Sequence, residues 1–159
     1  MPLIPDGREQ VTDPGSAFQI VNILRGVVER GTGVRVRAVG KPLAGKTGTS
    51  NEERDTWFIG FSPDLAVGVF VGFDEPVPLG DHETGSSVAA PIFRDFMKDV
   101  LENQPAIPFR TPPGIRVVRV EAGTGRPARP GDKDVILEAF KPGTMPTADG
   151  DVIEGQTWS

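Results

Sequence analysis

Gly48, two residues beyond Lys46, decides how the middle of this 159-residue chain folds. The stretch Gly40 to Thr47 spells G-x-x-x-x-G-K-T in full, and Asp74 follows an apolar segment where an acidic magnesium partner would stand. A phosphate loop requires a helix that starts at its Lys-Thr, because the N–H groups of that helix hold the phosphates. Here a second glycine follows at once, Ser50-Asn51-Glu52-Glu53 reads as a turn, and Thr56 to Phe61 returns to strand character. Pro42 also stiffens the would-be loop. Nucleotide binding is therefore the disfavoured reading, and an extended Gly45-Lys46-Thr47-Gly48-Thr49 is the favoured one.

Around that stretch the pattern predicts strands at Lys41 to Ser50, Thr56 to Ser62 and Leu65 to Phe73, the last two joined by Pro63-Asp64. An antiparallel meander fits. The third segment is apolar at nearly every position, as in a strand covered on both faces. Upstream, Asp13-Pro14 supplies a capping side chain before a first-turn proline, and Phe18, Val21, Leu24 and Val28 follow at helical spacing up to Gly31. Downstream, Ile92, Phe93, Phe96, Met97, Val100 and Leu101 form two i, i+4 rows on one helix face, with Pro91 tolerable only in the first turn.

Beyond Asn103 the character changes. Residues 104–114 hold four prolines and read as a linker. Ile115 to Val120 and Asp134 to Phe140 pair as short strands around a turn-rich Gly123 to Gly131, and disorder is expected from Lys141 onward. The division is thus 1–103, 104–114 and 115–159. The fold class is α+β: antiparallel strands covered by helices, with a small β-rich C-terminal tail.

Composition narrows the function. A net charge of −5 with dispersed basic residues excludes the clustered positive stripe of a nucleic-acid binder. Cysteine is absent, and the longest apolar run, Leu65 to Phe73, is far short of the roughly 20 residues of a membrane span. No basic-then-apolar leader opens the chain. His82 is the only histidine, which leaves no second one for a common transition-metal site. Glu52, Glu53 and Asp55 read as solvated acids in a turn, and Trp57, Phe58 and Phe61 as packing residues. Arg35 and Arg37 alternate with Val34 and Val36, suggesting an exposed strand or turn face.

The chemistry resides in Lys46 to Thr49. Along a strand, Lys46 and Gly48 share one face and Thr47 and Thr49 the other. Glycine admits an acyl group close to the backbone, a lysine favours a carboxylate, and a free strand N–H stabilises a developing oxyanion. The run Arg30-Gly31-Thr32-Gly33, Gly45 to Asn51, Arg54-Asp55-Thr56-Trp57-Phe58-Ile59-Gly60-Phe61 and Pro63-Asp64-Leu65 resembles class A penicillin-binding proteins, the bifunctional peptidoglycan synthases. Val71-Gly72-Phe73-Asp74, Glu83-Thr84-Gly85 and Ala89-Ala90-Pro91-Ile92-Phe93 continue the likeness, which covers the chain from about Val11 into its tail.

That resemblance implies the C-terminal part of a transpeptidase domain of the penicillin-binding and β-lactamase-like fold, with no metal or organic cofactor. It places Lys46 near the catalytic serine groups, Thr47 and Thr49 (with Gly48 between them) on the carboxylate of a stem peptide or β-lactam, and the Thr49 backbone N–H in the oxyanion hole. For the family's full-length protein it implies the periplasmic side of the inner membrane. One departure stands out: none of Ser16, Ser50, Ser62, Ser86 and Ser87 has a lysine three residues on, and no Ser-x-Asn occurs. The expectation is a chain that is inactive alone, completed by an N-terminal half, and prone to self-association through unpaired sheet edges. The alternative is a non-catalytic remnant or binding module of the same fold.

Overall fold

The computed structural model of the chain describes residues 9–146. Helix α1, Pro14–Arg30, begins as the residue pattern predicts. Asp13 Oδ1 accepts the Ser16 N–H at 2.9 Å, and Pro14 occupies the first helical position, where a missing N–H costs nothing. The chain divides into two compact units, the division falling inside α1: residues up to Ile20 group with those from Thr111 onward, and Val21–Arg110 form the other.

In the larger unit, β1 (Ala44–Thr49), β2 (Asp55–Phe61) and β3 (Ala66–Gly72) form the antiparallel meander, in the order β1-β2-β3. Its β2–β3 turn is closed by Ser62, whose N–H donates to Leu65 O at 2.8 Å while its Oγ accepts the Leu65 N–H at 3.1 Å. Strand β2 alternates, with Thr56, Phe58 and Gly60 buried and Trp57 and Ile59 exposed. The buried face meets helix α2, Ala90–Leu101, which contributes Phe93 and Met97 to a core with Val28, Val36, Leu43 and Phe58. The Phe58 and Phe93 rings tilt at 49° with centroids 4.7 Å apart. They lie close to the sheet because Gly45 and Gly60 are paired across the strands; a Cβ on Gly60 would come within 2.7 Å of both rings. On the other face Trp57 pairs with Phe70 across the strands at 4.7 Å.

Two local expectations, the start of β1 and the covering of β3, are corrected, and two further turns are defined. Strand β1 begins at Ala44, not Lys41, since Pro42 has no N–H for a ladder. Of the strand and turn faces expected around Arg35 and Arg37 the structure has the turn: Val34–Val39 is a 3-10 helix with both arginines exposed, Val36 turns into the core, and Gly40, at φ 72°, ends the helix in a left-handed conformation. Strand β3 is not covered on both faces. Phe70 is half-exposed, and the strand's run of apolar residues reflects one partly buried face plus the Trp57–Phe70 pair on the other. The second helix, finally, is preceded by a π turn, Gly85–Ala89, in which the Ala90 N–H reaches back to Gly85 O. The next residue is Pro91, which has no N–H to continue the pattern.

In the smaller unit, β4 (Arg116–Glu121) and β5 (Val135–Phe140) form the expected hairpin. The connecting turns are strongly tied. Glu121 accepts N–H bonds from Gly123 and Thr124 and the Thr124 hydroxyl at 2.6 Å; Arg126 makes a two-pronged contact with Asp132 at 2.9 and 2.8 Å. Segment 126–128 bonds to the free side of β4, through Glu121 N to Arg126 O and Ala128 N to Arg119 O, both at 2.9 Å. Gln19 Nε2 donates to Ala139 O, and Lys141 Nζ meets Asp13 Oδ2 at 3.1 Å and Ser16 Oγ at 2.5 Å, across separations of 120 residues and more. Hydrogen bonds from Ser16 foremost, then Lys141, hold the Asp13 carboxyl well below the usual carboxylate range. Residues 104–114 contain no helix or strand. Lys141 to Thr144 closes as a turn, Thr144 N to Lys141 O at 3.1 Å, so expected disorder does not begin at Lys141; residues 147–159 lie outside the described part.

Candidate active-site strand

All four residues singled out in the sequence, Lys46, Thr47, Gly48 and Thr49, lie on β1 at one margin of the three-stranded sheet. The extended conformation excludes a phosphate loop, which needs a helix starting at Lys46. Which way their backbone groups point follows from the register. Ser50 N–H donates to Asp55 O at 2.9 Å, so Ser50–Asp55 is a hydrogen-bonded pair. In an antiparallel ladder bonded and non-bonded pairs alternate. Gly48–Trp57 and Lys46–Ile59 are therefore bonded pairs, whereas Thr49–Thr56 and Thr47–Phe58 are non-bonded. The N–H and C=O groups of Thr47 and Thr49 thus point away from β2, to the open side of β1. The bond from Ser62 N to Leu65 O sets the same alternation on the far side of β2.

The side chains divide as strand geometry requires, with Thr47 and Thr49 on the helix-covered face. Lys46 is exposed, and its Nζ turns over the strand margin to donate to the outward Thr47 O at 2.8 Å, with Thr47 Oγ1 at 3.4 Å. The Thr47 and Thr32 hydroxyls are 2.7 Å apart. Ser86 Oγ donates to Thr32 O at 2.8 Å, and the Gly85 N–H donates to Thr49 Oγ1 at 3.0 Å. Gly85 is held tightly: a Cβ there would lie 2.5 Å from Trp57 O and 2.6 Å from Gly48 O. The π turn starting at Gly85 is capped by Thr84 and Ser87, each side chain bonding the other's backbone N–H.

Thr32, Gly85 and Ser86 thus join the candidate site; Thr32 and Gly85 stand in runs that carry the family resemblance, but nothing in the sequence gives any of the three a role there. Their signal is topological: small polar residues directly after α1 and directly before α2, where two helix ends meet β1. The tempting acids are structural. Glu52 pairs with Arg54, and Glu53 Oε2 accepts the His82 N–H at 2.8 Å, fastening the loop that carries the histidine. Phe58 is fully buried, Phe61 packs edge-on against Phe109 at 5.7 Å, and Trp57 is half-exposed beside Phe70.

Comparison with known proteins agrees with this geometry. The family described as penicillin binding protein transpeptidase domain matches residues 5–98, which take in α1, the three-stranded sheet and most of α2. Penicillin-binding protein 1A of Rickettsia conorii is 46% identical over 132 residues, 83% of this chain and 16% of that protein. Its namesake from Pseudomonas aeruginosa is 41% identical over 138 residues, 86% of this chain and 17% of that one. The crystal structure of penicillin-binding protein 1A from Haemophilus influenzae superposes with a TM-score of 0.72 at 31% identity, over 84% of this chain and 21% of that chain. The chain thus spans 16 to 17% of the length of those two curated relatives. Among the described residues no helix is long and apolar enough to cross a membrane. Sheet, helices and sequence agree on one assignment: the chain belongs to the penicillin-binding protein transpeptidase family, and what it carries is a segment of that domain.

Proposed function

We propose that this chain contributes the substrate-positioning strand of a peptidoglycan DD-transpeptidase. The observation that carries the reading is the open side of β1, where the Thr49 N–H points outward beside the Thr47 and Thr49 hydroxyls and the Lys46 ammonium. An unpaired strand N–H is the donor a tetrahedral oxyanion needs; losing one such donor costs a factor of about 10² to 10³ in rate. In the reaction a serine oxygen attacks the carbonyl of a D-Ala-D-Ala terminus and the terminal D-alanine leaves. An amine on a second stem peptide then takes the acyl group, releasing the serine. Lys46 lies near the serine groups, Thr47 and Thr49 hold the donor carboxylate, and Gly48 leaves room for the acyl chain. The serine comes from outside these 159 residues, which contain no Ser-x-x-Lys. The setting is the periplasmic side of the inner membrane, and the ligands are stem peptides or β-lactams. When uncompleted, the chain associates with itself through the free sides of β1 and β3.

Co-expression with an upstream half carrying Ser-x-x-Lys and Ser-x-Asn, followed by fluorescent penicillin labelling, tests this reading. The pair labels and the chain alone does not. Thr49→Pro acylates about 10²-fold more slowly than Thr49→Ala, since only proline removes the outward N–H and an outward-facing position loses no ladder bond. An unlabelled but properly associated pair, or stoichiometric labelling of the chain alone, overturns it.

A further inference from the structure

The hydrogen bonds behind β1 have a direction, and that direction has chemical content. Thr49 Oγ1 already accepts the Gly85 N–H at 3.0 Å, and among the described residues it has no acceptor for its own proton. A backbone N–H can only donate, so the polarity of this bond is not in doubt. Thr47 Oγ1 stands between the Thr32 hydroxyl at 2.7 Å and the Lys46 ammonium at 3.4 Å. The ammonium is likewise a donor only, so Thr47 is best satisfied by accepting on its inner side. Thr32 is itself anchored: the Ser86 hydroxyl donates to its carbonyl at 2.8 Å, tying the turn after α1 to the π turn before α2.

We propose that Thr32 and the Gly85 N–H set the hydrogen-bond polarity of β1, so that Thr47 and Thr49 both face an incoming oxygen as donors, and that Thr32 is thereby a positioning residue for an acceptor-only ligand such as a carboxylate. The proposal rests on the substrate reading above for the identity of that carboxylate. With the Thr32 proton committed to Thr47 Oγ1, the Thr47 proton is left for the ligand. Without Thr32, Thr47 is free to change rotamer and to turn its lone pairs outward, where they repel a carboxylate. Thr32 is exposed, so its replacement empties no part of the core.

The test uses the 159-residue chain, with Thr32→Val and Thr32→Ser beside it. Three-bond couplings report the Thr47 side-chain rotamer, and an NMR titration with N-acetyl-D-alanyl-D-alanine reports carboxylate binding. In the parent chain Thr47 occupies one rotamer. In Thr32→Val the couplings average and dipeptide affinity falls about fivefold, the worth of one neutral hydrogen bond. Thr32→Ser, which keeps the hydroxyl, restores both. Unchanged Thr47 couplings in Thr32→Val overturn the proposal, as does an averaged rotamer with unchanged affinity. A dipeptide that binds none of the three chains sinks the substrate reading alone, because the couplings still decide whether Thr32 orients Thr47.

Discussion

Replacing Thr56 by valine should stabilise the larger unit, although it deletes a polar group from a wholly polar neighbour pair. Thr56 faces Thr49 across β1–β2 and Val71 across β2–β3, and it is fully buried. Its Oγ1 has no hydrogen-bond partner among the described residues. A buried hydroxyl left without a partner costs roughly 1–3 kcal/mol. Valine keeps the branched Cβ and the strand preference and removes that cost, so the expected gain is about 1–2 kcal/mol. For a unit of this size that raises Tm by about 4–8 °C for each kcal/mol. Urea unfolding followed by Trp57 fluorescence measures it, with an unchanged m-value showing that the exposed area on unfolding is the same. Thr56→Ser keeps the hydroxyl and drops the methyl, and should lose about 1 kcal/mol. If valine destabilises at constant m while serine is neutral, the hydroxyl is engaged and the reasoning fails.

Gly85→Ala should cost roughly 1–3 kcal/mol, because its Cβ meets two carbonyl oxygens at 2.5 and 2.6 Å and backbone must move; the Gly48 and Thr49 amide shifts should move with it, and an unperturbed spectrum would contradict the packing. Phe93→Ala removes a fully buried ring set against Phe58 and should cost about 3–5 kcal/mol in urea unfolding, whereas a loss below about 1 kcal/mol would mean the core is elsewhere. In the smaller unit, the Arg126 guanidinium and then the Arg129 N–H lower Asp132 from an ordinary 3.8 to about 2. A carboxyl depressed on folding stabilises above its unfolded pKa and loses that contribution as pH falls through the folded one. Protection of the Arg129 amide, taken relative to its intrinsic exchange rate, should therefore be high at pH 4 and fall toward pH 2, and in Asp132→Asn that protection should not change between those pH values.

Much of this architecture was legible because it is written in local patterns. Asp13-Pro14 marks a helix start, Pro63-Asp64 a turn, and the return to strand character at Thr56 shows that Lys46 cannot begin a helix. Lys46, Thr47 and Thr49 were legible through the family resemblance, since their spacing alone fits any marginal strand. What stayed hidden depends on contacts between distant residues. Val34–Val39 alternates like a strand, yet Val36 is drawn into the core as a 3-10 turn by its place between α1 and β1. Thr32 and Gly85 enter the site only because two helix ends converge on β1, and Lys141 reaches Asp13 across 128 residues. Local composition carries no trace of either.

The π turn at Gly85–Ala89 also limits how this region can vary in length. It holds one residue more per hydrogen-bonded ring than an α-helix, and each residue turns a helix by about 100°. Deleting a single residue between Thr84 and Ala90, with the start held at Thr84 and the turn otherwise unchanged, would rotate α2 by that angle and put Arg94 and Lys98 at the helical positions that Phe93 and Met97 fill. The irregular turn acts as an angular shim, aligning a helix start anchored to β1 with a helix body anchored to the core.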